Sequence, residues 1–306
     1  MMYPTSISHT NKSYENRLQE LLQKVERPVE GFFGPGSMTW KVFREPIPGL
    51  GGLSALLLQI AHPAVGQGVY RYSNFRTDTL GRARRTFQAM SSLIFGNCED
   101  ALKAARQMYR IHGHIKGSIG HRSFRASDPN LLLWIQATLI DTIFTAFQTC
   151  GRPLSQKEKE QYYEESKTMA ILMGIPPAAY PPSLRSFERY YADMINGLEL
   201  HVSDRTLELA HALFKAPFTI PALNRLLATA LLPSPLRAQY GLLYTTRQQK
   251  VFRSLVGAFK LVLRILPGSL GYGPSYHLAR YRLAQANGRR RPVLGFIYKF
   301  LSRFVK

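Results

Sequence analysis

Apolar side chains in this chain return at alternating steps of four and three, a period that a helix buries and a strand cannot. Leu80, Ala83, Phe87, Met90 and Ile94 form one such stripe, and Ala101, Ala105, Met108, His112, Ile115 and Ile119 form the next. No stretch alternates with a period of two between hairpin turns, so an all-α fold is expected. The period predicts helices near residues 13–26, 80–95, 99–119, 129–149, 155–173, 183–200, 203–215, 220–231 and 248–265, broken at segments such as "GIPPAAYPP" and "LPGSLGYGP". "GFFGPGSMTW" reads as a Gly/Pro loop leading through a short strand or coil to "REPIPGLGG". "LSALLLQIAHPAV", residues 53–65, is apolar nearly all round, as a buried helix is, and Pro63 should kink or end it.

With 306 residues and neither an internal repeat nor a low-complexity linker, one large helical domain is the economical organisation. The expected division is an N-terminal helix and linker over 1–29, the main helical domain over 30–280, and a basic amphipathic tail over 281–306. Forty Lys and Arg against 19 Asp and Glu give a net charge of +21, which favours anionic partners. Helix-turn-helix, zinc-finger and aromatic RNA-binding signatures are all missing, so nucleic acid is not the expected one. In the tail, Val293, Phe296, Ile297, Phe300 and Phe304 share a broad face, with Lys299, Arg303 and Lys306 opposite and Arg289, Arg290 and Arg291 leading in. Such a helix suits an anionic membrane surface contacted through 289–306, or equally packing on the domain itself.

Cys98 and Cys150 are the only cysteines and form no CxxC pair, which excludes a disulfide framework and a cysteine-rich zinc site and fits a reducing compartment. The first residues lack the apolar core of a secretory signal, and no run approaches the roughly 20 apolar residues of a membrane span. The expectation is therefore a cytoplasmic protein, soluble or peripheral on the inner face of the membrane.

Among eight histidines, His112 stands out because it lies inside an apolar stripe, while His114 is about 200° further round at 100° per residue. An imidazole there is either a core residue donating to a carbonyl or an axial ligand to haem iron. Lys116, four residues on, would share its side of a continuous helix and is either solvated or placed to meet a propionate. Arg82 and Thr86 are an i, i+4 pair, with Arg85 beside them; they line a pocket or form a solvated basic flank. His62, just before Pro63, is a second pocket residue or takes up the carbonyl that Pro63 leaves free.

The ordered series "FREPIPGLGGLSALLLQIAHPAVGQGVYRYSNF", "GRARRTFQAMSSLIFG", "YRIHGHIKG" and "SDPNLLLWIQATLIDTIFTAF" resembles the family that holds the bacterial latex-clearing proteins (rubber oxygenases) and the fungal MpaB-type oxygenases. The likeness continues to "LLPSPLRAQYGLLY" and covers roughly residues 30–250. It implies a globin-like helical core binding haem b, with His112 as the proximal iron ligand in an H-x-x-[IV]-[RK]-G pattern. It also implies that Arg82 and Thr86, from an R-x-x-x-T pattern, line the pocket, and that Arg85 stands where rubber oxygenases carry a basic residue able to approach the iron. Lys116 falls where that family has an arginine. The implied partners are dioxygen and an apolar, isoprenoid- or lipid-like substrate. One departure matters: rubber oxygenases place a glutamate ahead of this helix as the proposed base, whereas the only acid between Pro46 and Phe95 here is Asp78, at a different spacing. Polyisoprene cleavage is therefore not the expected reaction. A haem-binding carrier or sensor without turnover, and a non-haem membrane-surface protein with a structural His112, remain alternatives.

Overall fold

The computed structural model describes residues 5–73, 78–215, 220–265 and 271–288, and its layout turns on Pro63. A proline cannot donate to the preceding turn but suits the first position of a new helix. Helix α3 (Ile47–Ala61) accordingly ends before it and α4 (Pro63–Tyr72) begins on it, bent by 105°. His62 occupies the joint, where its Nδ1 accepts the Ala64 N–H at 3.2 Å. The ring thus caps α4, and does not serve a carbonyl freed by Pro63.

The fold is all-α. Around α3 and α4 run α1 (Thr5–Gln23), α2 (Met38–Phe43), α5 (Thr79–Phe95), α6 (Cys98–His114), α7 (Pro129–Cys150), α8 (Gln156–Met173), α9 (Leu184–Asn196), α10 (Asp204–Phe214), α11 (Pro221–Leu231), α12 (Ser234–Gln239), α13 (Thr246–Ile265) and α14 (Pro274–Ala286). Among the described residues the only extended structure is one antiparallel hairpin, β1 (Lys116–Ile119) with β2 (Arg122–Arg125), in the register Ile119↔Arg122 and Lys116↔Arg125.

One core cluster is centred on the α3–α7 pair. Leu57, Leu58, Trp134, Ala137 and Ile140 are buried in it. Helix α7 is long and apolar enough to cross a membrane, which the sequence reading missed, yet 67% of its most apolar window is buried inside the protein. A second cluster joins α1, α2, α5, α6, α8 and α14, with Tyr14, Trp40, Leu93, Ile94 and Leu172 fully buried. Tyr14 donates its hydroxyl to the Leu172 carbonyl at 2.8 Å and stacks on Tyr109, so α1 is packed into this body. Helix α14 runs across the expected boundary at 280, and residues 289–306, the expected interfacial tail, lie outside the described residues. Both cysteines are free and buried.

Two expectations are corrected. Residues 38–43 are helical where a strand or coil was expected: Ser37 caps the start by accepting the Trp40 N–H at 3.1 Å, and the N–H groups of Met38 and Thr39 donate to Glu165 of α8 at 2.8 and 2.7 Å. The helix expected over 99–119 ends at His114, and the chain turns at Gly120 (φ +56°) into the β-hairpin. A positive φ in a two-residue hairpin loop is what glycine supplies.

Candidate functional site

Helices α5 and α6 form an antiparallel hairpin closed at Gly96 and Asn97, where Asn97 caps α6 by accepting the Asp100 N–H at 2.7 Å. At 1.5 Å per residue, Arg82 and His112 each lie about 21 Å from that turn, at the same open end of the hairpin. Thr86 and Arg85 sit about one turn closer on α5.

The predicted stripes on the two helices do face the core, but only over part of their length. Near the turn, Ile94, Ala101 and Ala105 are buried. Towards the open end the cover of the α5 stripe runs out, where Phe87 is 53% exposed and Ala83 is exposed; on α6 the stripe residues Met108 and His112 stay half-buried, and Ile111, outside the stripe, is 52% exposed. The same apolar pattern that builds the core therefore continues onto the surface beside His112.

His112 itself is half-buried in the last turn of α6. Its Nδ1 is buried without a hydrogen-bond partner, and no hydrogen bond of its side chain is found among the described residues. A buried nitrogen left bare costs roughly 1–3 kcal/mol, so its persistence asks for a reason. Burial also pushes the imidazole pKa below its ordinary value, which keeps the ring neutral at pH 7. His114, on the other side of the helix, is exposed.

The hairpin β1–β2 forms the neighbouring wall. Tyr72, at the end of α4, donates its hydroxyl to the Lys116 carbonyl at 2.8 Å. Gly68 of α4 faces Ile115 and Phe124, a Cβ there lying at ordinary contact distance from both, 3.4 and 3.8 Å. Gly117 is covered by the ring of its cross-strand partner Phe124.

Of the residues singled out from sequence, Arg82 and His112 stand at matching distances from the α5–α6 turn, with Thr86 and Arg85 a turn closer to it. Arg82 is half-buried, and its pKa is lowered by burial first and by the Arg85 charge second, although a guanidinium stays charged. Thr86 is exposed on the open face. Arg85 is exposed and paired to Asp78 at 3.0 Å. Lys116 is not on the helix with His112: it lies in β1, its side chain exposed. His62 caps α4, and burial chiefly depresses its pKa, opposed by its own backbone hydrogen bond and by the charges of Glu199 and Asp128. Nothing brings His62 to His112.

Sequence reasoning missed the β-hairpin with Tyr72, Gly68 and Phe124. The signal was present in "KGSIGHRSFR", four residues on either side of a Gly-His pair.

An apolar, iron-bearing macrocycle needs a neutral imidazole with an unengaged nitrogen beside an uncovered apolar face. His112, Ala83, Phe87 and Ile111 meet that requirement, and Arg82 offers a cation for a carboxylate. Among the described residues no group of three or more His, Cys, Asp or Glu side chains could hold a metal ion by itself.

The family model described as "ER-bound oxygenase mpaB/B'/Rubber oxygenase, catalytic domain" matches residues 40–261. Two mycobacterial relatives, the uncharacterized protein Rv2237 of Mycobacterium tuberculosis and the uncharacterized protein Mb2261 of Mycobacterium bovis, are each 24% identical over 223 residues. Each alignment spans 69% of this chain and 87% of the relative. No solved structure matches significantly.

Proposed function

The chain belongs to the mpaB/rubber oxygenase catalytic-domain family, and from that premise we propose that it is a haem b-dependent oxygenase acting on an apolar, lipid- or isoprenoid-like substrate, with His112 as the proximal iron ligand. One observation carries the reading: a neutral imidazole, buried at Nδ1 and bound to nothing, at the end of a helical hairpin whose apolar stripe runs out uncovered. Haem bound there would supply the oxygen and electron-transfer chemistry that no side chain can.

The protein's own contributions follow from position. His112 would hold the iron through its imidazole, while its carbonyl, accepting the Ile115 N–H at 3.2 Å, closes α6. Ala83, Phe87 and Ile111 present the apolar surface against which a flat macrocycle or a greasy substrate loses water. Arg82 supplies positive charge to a carboxylate at that end, and Thr86, exposed and able both to donate and to accept, orients the polar end of the substrate. Arg85 is held back from that role while its guanidinium is tied to Asp78.

The test is the visible spectrum of the purified protein, after haem reconstitution, beside His112→Ala. A Soret band that the substitution abolishes, together with oxygen uptake given a reductant and an apolar alkene, is the expected result. A parent that takes up no haem, or a band indifferent to the substitution, overturns the assignment of His112. Haem binding without oxygen uptake on any such substrate leaves a carrier or sensor.

A further inference from the structure

Glu208 is the last acidic residue in the sequence; the chain from 209 to 306 carries sixteen Lys and Arg and no Asp or Glu. Most of the net charge of +21 is therefore gathered in the C-terminal third. Helix α13 is the longest described element in that third.

One face of α13 is anchored. Phe252 is buried with Cys150 and Leu231, and Val256 packs against the same cluster. A second apolar face is not. Val251, Leu255, Ala258, Val262 and Ile265 recur at steps of four, three, four and three, so they lie in one line along the helix. All five are exposed, Val262 by 53% and Ile265 by 72%, and Leu261 beside them by 58%. Arg247 stands in line with this stripe, Lys250 borders it, and Arg253, Lys260 and Arg264 lie on the far side, within one helix diameter.

A soluble surface helix ordinarily puts charge where α13 puts this second stripe. Three occupants are conceivable, and charge decides among them. A second copy of the chain would bring one acid-free, cationic C-terminal third against another, like charge towards like. The tail 289–306 has the apolar residues to cover the stripe but six Lys and Arg and no acid, so it too would bring like charge. An anionic lipid surface offers hydrocarbon to the stripe and phosphate to Arg247 and Lys250 at its edge, while the remaining cations of the acid-free third add a longer-range attraction.

We infer that the exposed stripe of α13, in a C-terminal third whose sequence carries no acid, docks the protein onto an anionic lipid bilayer. The anchored Phe252 face holds α13 on the body while the second face enters the headgroup layer. This surface is independent of the haem reading, since neither His112 nor Arg82 takes part in it.

Co-sedimentation of the full chain with vesicles tests it. Vesicles of phosphatidylcholine with a third phosphatidylglycerol should bind the protein at low salt at least tenfold better than phosphatidylcholine alone, and 0.5 M NaCl should remove most of that preference. Leu255→Glu/Val262→Glu, on exposed positions, should weaken binding to the mixed vesicles tenfold or more, with thermal unfolding and haem uptake unchanged. The inference is overturned by binding that survives this double variant, or by loss on Phe296→Glu/Phe300→Glu alone, which would give the membrane to the tail. It is equally overturned by a parent that binds no vesicle but sediments as a dimer that the double variant dissociates.

Discussion

Asp78 and Arg85 are bound to each other across two turns of chain, Asp78 Oδ2 accepting from Arg85 Nη1 at 3.0 Å while Asp78 Oδ1 accepts the Gly81 N–H at 2.8 Å. The only acid between Pro46 and Phe95 is thus already committed, as the cap of α5 and as the partner of a cation. The hydrogen bond from Arg85, followed by that from Gly81, holds its carboxyl below the usual carboxylate range. A base must accept a proton near the working pH, and this group is arranged to refuse one.

Asp78→Asn should therefore leave oxygen uptake within about twofold of the parent, since asparagine keeps the cap and a true base would lose orders of magnitude. Steady-state oxygen consumption of the two proteins, each loaded with haem, checks this. A hundredfold loss would return Asp78 to the chemistry.

A second carboxylate behaves in the opposite way. Asp141 of α7 borders a small cavity of about 270 Å³ with Lys159, Glu188 and Tyr191. Burial raises its pKa to about 6, opposed by Tyr191 and Lys159. The Tyr191 hydroxyl is near but falls short of hydrogen-bond geometry. With the folded pKa above the unfolded one, the native state holds the proton more tightly. Stability thus falls as pH rises from about 4 to 6, and the penalty is complete above 6. Asp141→Asn should stabilise the protein at pH 7 by up to about 3 kcal/mol and make little difference at pH 4. Denaturant unfolding of both proteins at the two pH values measures the difference, and equal stability at pH 7 would contradict it.

Gly117 marks how tightly the wall beside the site is built. A Cβ there would stand 2.8 Å from two ring carbons of Phe124. Gly117→Ala should cost about 1–3 kcal/mol by overpacking, and Phe124→Leu in the same chain should recover part of that loss. A double-mutant cycle on thermal unfolding is the measurement; additive losses would show that the two do not share the space.

The helices were legible where their apolar period was local and their ends carried their own caps. Residues 129–149 and 155–173 were read within a residue or so of α7 and α8, the latter started by the reciprocal capping of Ser155 and Glu158. Helix α2 was missed although Ser37 offered a local cap, because it is only six residues long and its Met38 and Thr39 N–H groups are met by Glu165, more than 120 residues away. The hairpin was hidden by coincidence: Ile115 and Ile119 fall at helical steps from His112, and only Gly117 and Gly120 argued against a continuous turn. That coincidence misplaced Lys116 as well. The stripe on α5 was read correctly as one face, but periodicity reports which residues share a side and not whether anything covers them. The exposure of Ala83 and Phe87, on which the site depends, needed the third dimension.

His112 ties the site to pH. Burial sets its folded pKa below the ordinary value of about 6.5, so the unfolded chain takes the proton first. Stability is complete above about pH 6.5 and falls as the pH drops towards the folded pKa, because the buried ring must either stay neutral against the proton or leave its place. On the proposed ligation, proton and iron would compete for the same imidazole, which would add haem loss to the same pH window. Acid titration followed at the Soret band and by circular dichroism should show the cofactor leaving before the helices melt. His112→Leu, in the apo form, should lose less stability than the parent between pH 7 and 5. If the parent and the variant decline in parallel over that range, the buried imidazole is not the group that titrates.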